Sequence, residues 1–395
     1  DVVERWRRSG HEVLVLTSEV RVSGVPEPQP AERSSVWRDL KLYWEDHEIL
    51  DPPPLRRLAW ERSNLACLER ALSEFRPDVA SAWAMGAMSL GLLGALGRRH
   101  VPVVSVICDE WPVYGPVVDP WMRALSHRPR LGRLVRALTR LETSLPPLDS
   151  LGPSCFVSAH LRNVCRDQSE WAFPDSTVVY SGIERRDFPF VERSGAWRWR
   201  LLYVGRIDPR KGIDTLLRAF ARCPQDARLD VVGRGDDRHL DELRHLAGEL
   251  GVTGRARFTS SPRSELGAVY AGADVLVFPA VWEEPFGLVP VEAMACGTPV
   301  VATRVGGAAE FLADERNCLA FAPSDVDGLV AALHRLADDS ALRSELVSGG
   351  VRTAADLDVD RLAEDLDAWH RSAVEGTARP AQRRPPGAHA DPSTK

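Results

Sequence analysis

Short apolar runs alternate along this chain with longer segments in which apolar residues recur at helical spacing. Residues 12–17, 101–107 and 176–183 predict buried strands, and residues 200–205 predict another, which leads through a loop into an amphipathic helix over 211–220. Buried strands that alternate with helices are typical of parallel sheets with helices on both faces. The pattern therefore predicts an α/β fold built from doubly wound sheets.

The length of the chain and its changes in composition divide this pattern into two Rossmann-like domains. A chain of 395 residues is long enough for two α/β domains. We predict the first over residues 1–183, a charged linker over 184–197 and the second domain over 198–355. A helix is predicted over 356–375, and residues 376–395, which contain several Pro and Arg, are predicted to form a disordered tail.

Pro290 indicates the start of a helix over residues 289–295, because its missing N–H costs nothing in a first helical turn. Gly297 is suited to end that helix. The backbone N–H groups near Gly287 and Leu288 then have no partner within the helix, and they lie at its positive end. Such an end is a natural binding site for phosphate.

Two carboxylates flank this helix start. Glu284 precedes it, and Glu292 lies inside the helix, about one and a half turns along. A phosphate site between two carboxylates that can accept hydrogen bonds from hydroxyl groups fits a sugar nucleotide. Its sugar would lie on one side of the phosphate and its ribose on the other. The alternative is that each Glu lies on a solvated surface. For Glu292 that alternative is weakened by its apolar neighbours, because a carboxylate among them needs a partner.

Two cations follow the predicted strand at 200–205. Arg206 and Lys211 fall at the carboxyl end of that strand, where open α/β sheets bind ligands. Of the 50 Lys and Arg residues only three are lysines, at positions 41, 211 and 395. A lysine kept at a strand–loop–helix junction in so Arg-rich a chain indicates that a compact ammonium is wanted there, as for binding phosphate.

Several motifs occur in order along the second domain. They are Gly205-Arg206 with Lys211-Gly212, then Val231-Val232-Gly233-Arg234-Gly235, the segment 270–279, Glu284 and Glu292 with seven residues between them, the segment 297–302, and Gly306-Gly307 with Glu310. In this series the chain resembles the donor domain of the family-4 retaining glycosyltransferases. The resemblance covers about residues 198–350 and is weaker over 1–190.

This resemblance implies the GT-B fold, in which two Rossmann-like domains face each other across a cleft. It also implies that the helix at 356–375 crosses back onto the first domain. Arg206 and Lys211 would neutralise the diphosphate as it leaves. Glu284 would hold hydroxyls of the transferred sugar and so completes the implied catalytic set.

The resemblance further implies which residues bind the donor. Glu292 would hold the ribose hydroxyls, and amides near Phe286, Gly287 and Leu288 would bind the distal phosphate. Gly205 and Gly233 would border the nucleotide. The loop at 259–262, which lies near the base in relatives, departs from the glycine common there, so UDP, GDP and ADP donors all remain open.

The function that follows is transfer of a sugar, with retention, from a nucleoside-diphosphate sugar to an unidentified acceptor: a glycan, a lipid-linked molecule or a small molecule. No cofactor is expected beyond the donor itself. Two alternatives stay open. One is a non-catalytic relative that binds a nucleotide sugar or a partner enzyme, and the other is a nucleotide-sugar epimerase, which would need acid and base carboxylates in the first domain.

No metal site is expected. Asp356, Asp358 and Asp360 superficially match the Asp-x-Asp motif of metal-dependent glycosyltransferases, but acidic residues also collect at helix N-termini. Asp325 and Asp327 have the same interpretation, because the other ligands of a calcium loop are absent. Cations and helix-end amides already balance the diphosphate charge.

Asp109 and Glu110 are candidates for the acceptor side, since they follow the predicted strand at 101–107. They point from its carboxyl end toward the expected cleft. An equally weighted alternative is that they only structure their loop. Relatives often carry His in place of Cys108, so no role is predicted for that position.

A basic segment spans residues 121–141, where no acidic residue occurs. Its apolar residues follow helical spacing at Leu131, Leu134, Val135, Leu138 and Leu141, among the arginines at 123, 128, 130, 133, 136 and 140. We favour a helix whose apolar stripe lies in the core of the first domain. The alternative is a helix on a membrane surface that holds the enzyme near a lipid-linked acceptor.

Composition sets further bounds. A net charge of −6 and a pI near 6.0 argue against nucleic acid as the principal partner. Seven scattered cysteines without metal-ligand spacing are typical of a reducing cytoplasm. No apolar run reaches the roughly 18 residues of a membrane-spanning helix. A cytoplasmic protein is therefore predicted, with peripheral membrane contact as the variant.

The first residues predict one further feature. Residues 2–8 have the pattern of the second half of an amphipathic helix that Gly10 ends. A dinucleotide-type half begins with a strand and a glycine-rich turn before such a helix. We therefore expect the natural chain to carry those elements upstream of Asp1.

Overall fold

The computed structural model of the protein describes residues 2–20, 35–45, 48–192, 196–376, 379–383 and 385–386. It forms two compact units. The first comprises residues 1–179 and 363–383, and the second comprises residues 180–362 with the last residues from 384. Part of the predicted linker, at 193–195, and most of the predicted tail lie outside the described residues.

The first unit contains short strands and eight described helices before residue 180. The strands are β1 (Val15–Ser18), β2 (Val36–Leu40), β3 (Trp44–Glu45), β4 (Glu48–Ile49), β5 (Ala80–Trp83), β6 (Val103–Ile107), β7 (Ser154–Phe156) and β8 (Ser176–Val178). The helices are α1 (Val2–Arg8), α2 (Pro54–Glu74), α3 (Gly91–Arg98), α4 (Trp111–Val118), α5 (Pro120–Leu125), α6 (Pro129–Thr139), α7 (Leu148–Leu151) and α8 (Ala159–Gln168).

The sheets of this unit differ from the single doubly wound sheet that the sequence predicts. Strands β5, β6, β7 and β8 form a parallel sheet in chain order, without a reversal. Strands β1 and β2 pair in parallel with each other, and within the described residues no ladder joins them to that sheet. The predicted strand at 12–17 starts three residues late, at Val15, and the one at 176–183 ends early, at Val178.

The second unit contains the strands β9 (Arg200–Val204), β10 (Arg228–Val232), β11 (Ala256–Thr259), β12 (Val275–Phe278), β13 (Val300–Thr303) and β14 (Leu319–Phe321). Its helices are α9 (Ile213–Phe220), α10 (Asp237–Glu249), α11 (Leu266–Gly272), α12 (Leu288–Ala295), α13 (Val326–Asp338) and α14 (Ser340–Asp356). Short 3₁₀ turns at Pro209–Lys211, Arg263–Glu265 and Gly306–Glu310 follow three of the strands.

All ladders of this unit are parallel, in the strand order β11-β10-β9-β12-β13-β14. In order along the chain this is 3-2-1-4-5-6, the order of a Rossmann sheet. Strands β12 and β13 are fully buried, as near-continuous apolar sequences require in a sheet covered on both faces. The order reverses between β9 and β12, and ligands bind beside the carboxyl ends of strands at such a reversal.

The C-terminal helix α15 (Val359–Glu375) is divided between the units, and its residues from 363 belong to the first. Trp6 of α1 donates from Nε1 to the Ala363 carbonyl over 3.1 Å and meets the His370 ring edge-on at 5.0 Å. Arg379 forms an ion pair with Asp175. Residues 379–383, predicted as part of a disordered tail, are therefore held against the first unit.

The segment at 121–141 forms two helices, α5 and α6, where the sequence predicts one. Pro129 starts α6 after a break, since it cannot continue the preceding helix. Its leucines face outward: Leu131, Leu134 and Leu138 are 42, 58 and 75% exposed. The favoured core-helix interpretation is therefore wrong. Among the described residues, no helix combines the length and the apolar character needed to cross a membrane.

A buried carboxyl group lies between α2 and α3. Glu61 accepts hydrogen bonds from the Tyr43 hydroxyl, at 2.7 Å, and from the Ser89 hydroxyl, at 2.6 Å. Burial, and then the nearby charge of Asp119, raise the pKa of Glu61 from 4.5 to about 7. The folded unit therefore holds the Glu61 proton more tightly than the unfolded chain does.

We predict that Glu61 makes the first unit less stable as the pH rises. A raised carboxyl pKa stabilises the fold below about pH 4.5, and this contribution is lost as the pH rises through about 7. The full shift corresponds to roughly 3 kcal/mol. Thermal unfolding of Glu61→Gln should therefore depend less on pH, between about pH 5 and 8, than that of the wild type, with exposed Glu48→Gln as the control. Identical pH profiles for Glu61→Gln and wild type would contradict the assignment.

Candidate functional site

The site is built on the two strands between which the sheet order reverses. Loop 205–211 follows β9, and loop 279–287 follows β12, the neighbouring strand in the sheet. Parallel strands end at the same edge of a sheet, so the two loops lie side by side. All of the cations and carboxylates that the resemblance assigns to the donor phosphate and sugar come from these two loops.

The loops after β9 and β10 extend the sheet through close backbone contact. The Gly205 amide donates to the Val232 carbonyl at 3.0 Å, and the Ile207 amide donates to the Arg234 carbonyl at 2.9 Å. A Cβ at position 233 would lie 1.8 Å from the Gly205 carbonyl oxygen. Glycine at 233 is therefore explained by this packing.

The two predicted cations have different surroundings. The Arg206 side chain is exposed and makes no hydrogen bond or ion pair within the described part of the chain. Lys211 forms an ion pair through Nζ with Oε1 of Glu284. One cation is thus available to a ligand, and the other is already oriented by a carboxylate.

Lys211 reaches Glu284 because the backbone beside each of these residues packs closely against another loop, at Gly212 and at Gly306. Gly212 has φ +65°, and a Cβ there would lie 2.1 Å from the Pro279 carbonyl oxygen. Gly306 has φ +56°, and a Cβ there would lie 2.3 Å from the Glu284 carbonyl oxygen. The Gly307 amide donates to that same oxygen at 2.7 Å. Only glycine tolerates both the left-handed backbone and the contact.

Arg210 and Trp282 were not singled out from the sequence, although they flank this pair. Arg210 donates to both carboxylate oxygens of Asp208, at 2.9 and 2.8 Å, and lies 4.5 Å from the Trp282 ring centroid. The Lys211 ammonium lies 5.7 Å from the same ring. The hydrogen bond from Arg210 is the main cause that lowers the pKa of Asp208 to about 2. Arg210 is therefore committed to Asp208, unlike Arg206.

The helix predicted at 289–295 is confirmed as α12, Leu288–Ala295. Gly287 precedes it in a left-handed conformation, with φ +89°, and no side chain caps the helix start. The ring of Phe286 is buried and packs against Tyr180 and Phe311, with centroids 6.0 and 5.2 Å apart. The aromatic contacts fix the loop, so that the amides of the first turn are free to face a phosphate.

Glu292 is buried within α12, as its apolar neighbours require, and it has the partners predicted for such a carboxylate. The Tyr270 hydroxyl donates to Oε2 at 2.7 Å, and the Arg263 guanidinium donates to Oε1 at 3.3 Å. Burial raises the pKa of Glu292, and these two bonds oppose that rise. Tyr270 and Arg263 are the functional candidates that sequence reasoning missed at this end of the site.

The acceptor-side candidates belong to the first unit. Asp109 accepts hydrogen bonds from the Trp111 amide, at 3.1 Å, and from the Tyr114 hydroxyl, at 2.9 Å. Glu110 is the residue before α4, and its side chain does not cap that helix. The contacts of Asp109 favour the loop-structuring alternative for this residue.

Each of the two acidic runs considered as metal motifs contributes one helix cap. Asp325 accepts from the Gly328 amide at 2.9 Å at the start of α13. Asp358 accepts from the Asp360 amide at 2.8 Å at the start of α15, and Asp356 forms an ion pair with Arg361. The capping interpretation is confirmed for Asp325 and Asp358.

Two family models match adjoining parts of the chain. Residues 1–184 match the model described as Glycosyltransferase Family 4, and residues 184–352 match the one described as Glycosyl transferases group 1. The chain belongs to the family-4 glycosyltransferases. The two family models meet at residue 184, close to the boundary between the two compact units, which lies after residue 179.

Individual relatives agree with this family. The chain is 38% identical over 199 residues to a D-inositol 3-phosphate glycosyltransferase of Stackebrandtia nassauensis, covering 46% of this chain and 44% of that protein. It is 32% identical over 222 residues to a glycogen synthase of Mycobacterium tuberculosis, covering 55 and 53%. The chain thus spans about half the length of these relatives.

Solved structures share the fold of this chain. The sucrose-phosphate synthase of Thermosynechococcus elongatus superposes with a TM-score of 0.66 at 21% identity, covering 95% of this chain and 92% of that one. HepE of Anabaena, solved in complex with UDP-glucose, superposes with a TM-score of 0.62 at 20% identity, covering 90 and 98%. The predicted GT-B fold, with two Rossmann-like domains, is confirmed.

Proposed function

We propose that this protein transfers a sugar, with retention of anomeric configuration, from a nucleoside-diphosphate sugar to an acceptor hydroxyl. The observation that carries the proposal is the Lys211–Glu284 ion pair at the reversal of the Rossmann sheet, with the exposed Arg206 in the same loop. The start of α12 adds backbone amides beside Glu284. Cations, amides and a hydroxyl acceptor together match a phosphorylated sugar.

In the proposed reaction, the bond between the anomeric carbon and the diphosphate oxygen breaks while the acceptor oxygen bonds to that carbon on the same face. The acceptor proton passes to the leaving phosphate, so the products are a glycoside and a nucleoside diphosphate. Arg206, Lys211 and the α12 amides stabilise the negative charge that develops on the diphosphate. An ammonium has three donors, so Lys211 can keep its bond to Glu284 while it binds phosphate.

The two glutamates would fix the donor at its ends. Glu284 is buried and charge-paired, so it accepts from hydroxyls of the transferred sugar while its own position is held by Lys211 and Gly307. Glu292 accepts from the ribose. HepE of Anabaena was solved with UDP-glucose, which supports a nucleotide sugar as donor here.

The structure supports the epimerase alternative less than the sequence does, because Asp109 accepts hydrogen bonds from the Trp111 amide and the Tyr114 hydroxyl. The non-catalytic alternative would retain donor binding but release no nucleoside diphosphate. A coupled assay of nucleoside diphosphate release, with candidate glycan and lipid-linked acceptors, separates transfer from binding.

We predict that Lys211→Ala lowers turnover by roughly two orders of magnitude or more, the scale for loss of one charge contact in the transition state. The matched control is Lys41→Ala, which removes a lysine of the first unit that lies 3.8 Å from Glu19. The control should turn over at the wild-type rate. Near wild-type turnover by Lys211→Ala would disprove the role of Lys211, and with it the diphosphate site.

We also predict that activity does not require a divalent metal. In the proposed site the diphosphate charge is balanced by Arg206, Lys211 and the helix-end amides, and Asp325 and Asp358 of the two acidic runs are engaged as helix caps. Turnover should therefore be unchanged in EDTA. Abolition by EDTA with restoration by Mg²⁺ or Mn²⁺ would contradict this part of the mechanism.

We further infer that α6 contacts an anionic membrane surface, which would bring the enzyme to a lipid-linked acceptor. The helix is fixed along one edge only: Gly132 is its single buried residue, and the Thr143 hydroxyl donates to the Gly132 carbonyl at 3.1 Å. Glu142, the first acidic residue after the basic segment 121–141, is buried and forms ion pairs with Arg98 and Arg136. Three exposed leucines flanked by arginines fit a lipid surface with negative headgroups.

We predict that the protein co-sediments with phosphatidylglycerol-containing vesicles but not with pure phosphatidylcholine vesicles, and less so as the salt concentration rises. Replacing Arg130 and Arg133 with Gln should weaken binding roughly thirty-fold, since each basic residue near the surface contributes about 1 kcal/mol. Leu134→Ser should also release the protein. Leu55→Ser, at a leucine that is 82% exposed outside α6, is the control. Equal sedimentation by all variants would exclude α6 as the contact.

A further inference from the structure

The carboxylate of Glu292 has two partners of different kinds. Its Oε2 accepts from the Tyr270 hydroxyl at 2.7 Å, a short bond to a phenol that is itself fully buried. Its Oε1 accepts from the Arg263 guanidinium at 3.3 Å, a longer bond to a side chain that is 58% exposed. The two oxygens of one carboxylate are therefore held by one interior group and one surface group.

Tyr270 is fixed from three sides. It lies in α11, its carbonyl accepts from the Thr298 hydroxyl at 2.8 Å, and its ring meets the Phe188 ring edge-on at 5.9 Å. Thr298 follows α12, so the helix that carries Glu292 and the helix that carries Tyr270 are tied together at two points. The phenol cannot leave Oε2 without movement of a buried ring.

Arg263 is placed differently. It begins the 3₁₀ turn Arg263–Glu265 after β11, and its guanidinium carbon lies 5.6 Å from the Phe188 ring centroid. A long exposed side chain with one 3.3 Å bond can exchange with another donor at low cost. A ribose hydroxyl that reaches Oε1 would make such a replacement.

We propose that Tyr270 is a positioning residue for the nucleoside: it holds Oε2 of Glu292 in place so that Oε1 remains the oxygen that binds a ribose hydroxyl. Arg263 occupies Oε1 until the nucleoside replaces it. This inference rests on the proposed function, in which Glu292 binds the ribose.

The same bond also lowers the pKa of Glu292, against the effect of burial. Burial raises the pKa of Glu292, the hydrogen bond from Tyr270 and the charge of Arg263 lower it, and the charge of Asp187 raises it. Loss of the phenol hydroxyl removes one of the lowering contributions. Glu292 would then gain a proton at a higher pH and would lose acceptor strength, so nucleotide binding should weaken further as the pH falls.

The test measures binding of uridine, guanosine and adenosine diphosphates and of their 2′,3′-dideoxy analogues by calorimetry. For the nucleotide that the wild type binds, Tyr270→Phe should weaken binding about ten-fold, the scale for loss of one hydrogen bond to a charged group. The penalty should grow toward lower pH. Binding of the dideoxy analogue should be the same for Tyr270→Phe and wild type, because that analogue makes no bond to Glu292.

Tyr43→Phe is the matched control, since Tyr43 is a fully buried tyrosine that donates to a buried glutamate, Glu61, in the other unit. Tyr43→Phe should leave the affinities for the nucleoside diphosphate and for its dideoxy analogue unchanged. If Tyr270→Phe does not fold, Phe188→Leu loosens the ring that orients the phenol, and it should produce the same loss confined to the ribose hydroxyls.

Comparison with Glu292→Gln separates the two levels of the proposal. If Glu292→Gln binds the diphosphate as tightly as the wild type, the ribose role of Glu292 is wrong and the proposed function loses that contact. If Glu292→Gln weakens binding while Tyr270→Phe and Phe188→Leu do not, the ribose role stands and the positioning role of Tyr270 is overturned.

Discussion

The proposed donor site depends on one constraint: two loops must approach each other closely enough for Lys211 to reach Glu284. Both loops follow adjacent parallel strands, so the sheet brings them to the same edge. Close contact then requires a missing side chain behind each residue, at Gly212 against Pro279 and at Gly306 against Glu284 itself. Any side chain at these two positions would push apart the loops that carry the ion pair, and the charges at the site would lose their geometry.

The two glutamates of the site illustrate how different surroundings suit one residue type to two tasks. Glu284 is buried beside a lysine and is held by a backbone amide through its carbonyl. Glu292 is buried beside a phenol and a partly exposed arginine, and burial raises its pKa. In the proposed function, the first arrangement supplies charge at the phosphate and sugar of the donor. In the proposed function, the second supplies a hydroxyl acceptor whose pKa is raised by burial and lowered by its two partners.

The helix α12, the fold of the second unit and the placement of Arg206 and Lys211 could be predicted from the sequence because local signals specify them. Pro290 and Gly297 delimit the helix, and continuous apolar runs mark buried parallel strands.

The partners of Glu292 could not be predicted, since Tyr270 and Arg263 lie 22 and 29 residues away and only tertiary packing brings them together. Helical spacing in α6 likewise shows which leucines share a face, but it does not show what covers that face. For this reason the sequence pattern alone favours a core position for the apolar stripe of α6, whereas the structure exposes it.

The central claim is that one nucleotide sugar lies across α12 with its sugar at Glu284 and its ribose at Glu292. Saturation-transfer NMR with UDP-, GDP- and ADP-sugars tests it most directly, because it reports separately on sugar, ribose and base protons. We expect one nucleotide class to receive saturation on both the sugar and the ribose. Glu284→Gln should then diminish the sugar signals, and Glu292→Gln the ribose signals. Absence of saturation transfer to every donor, or equal loss of both sets of signals in each variant, would contradict the account.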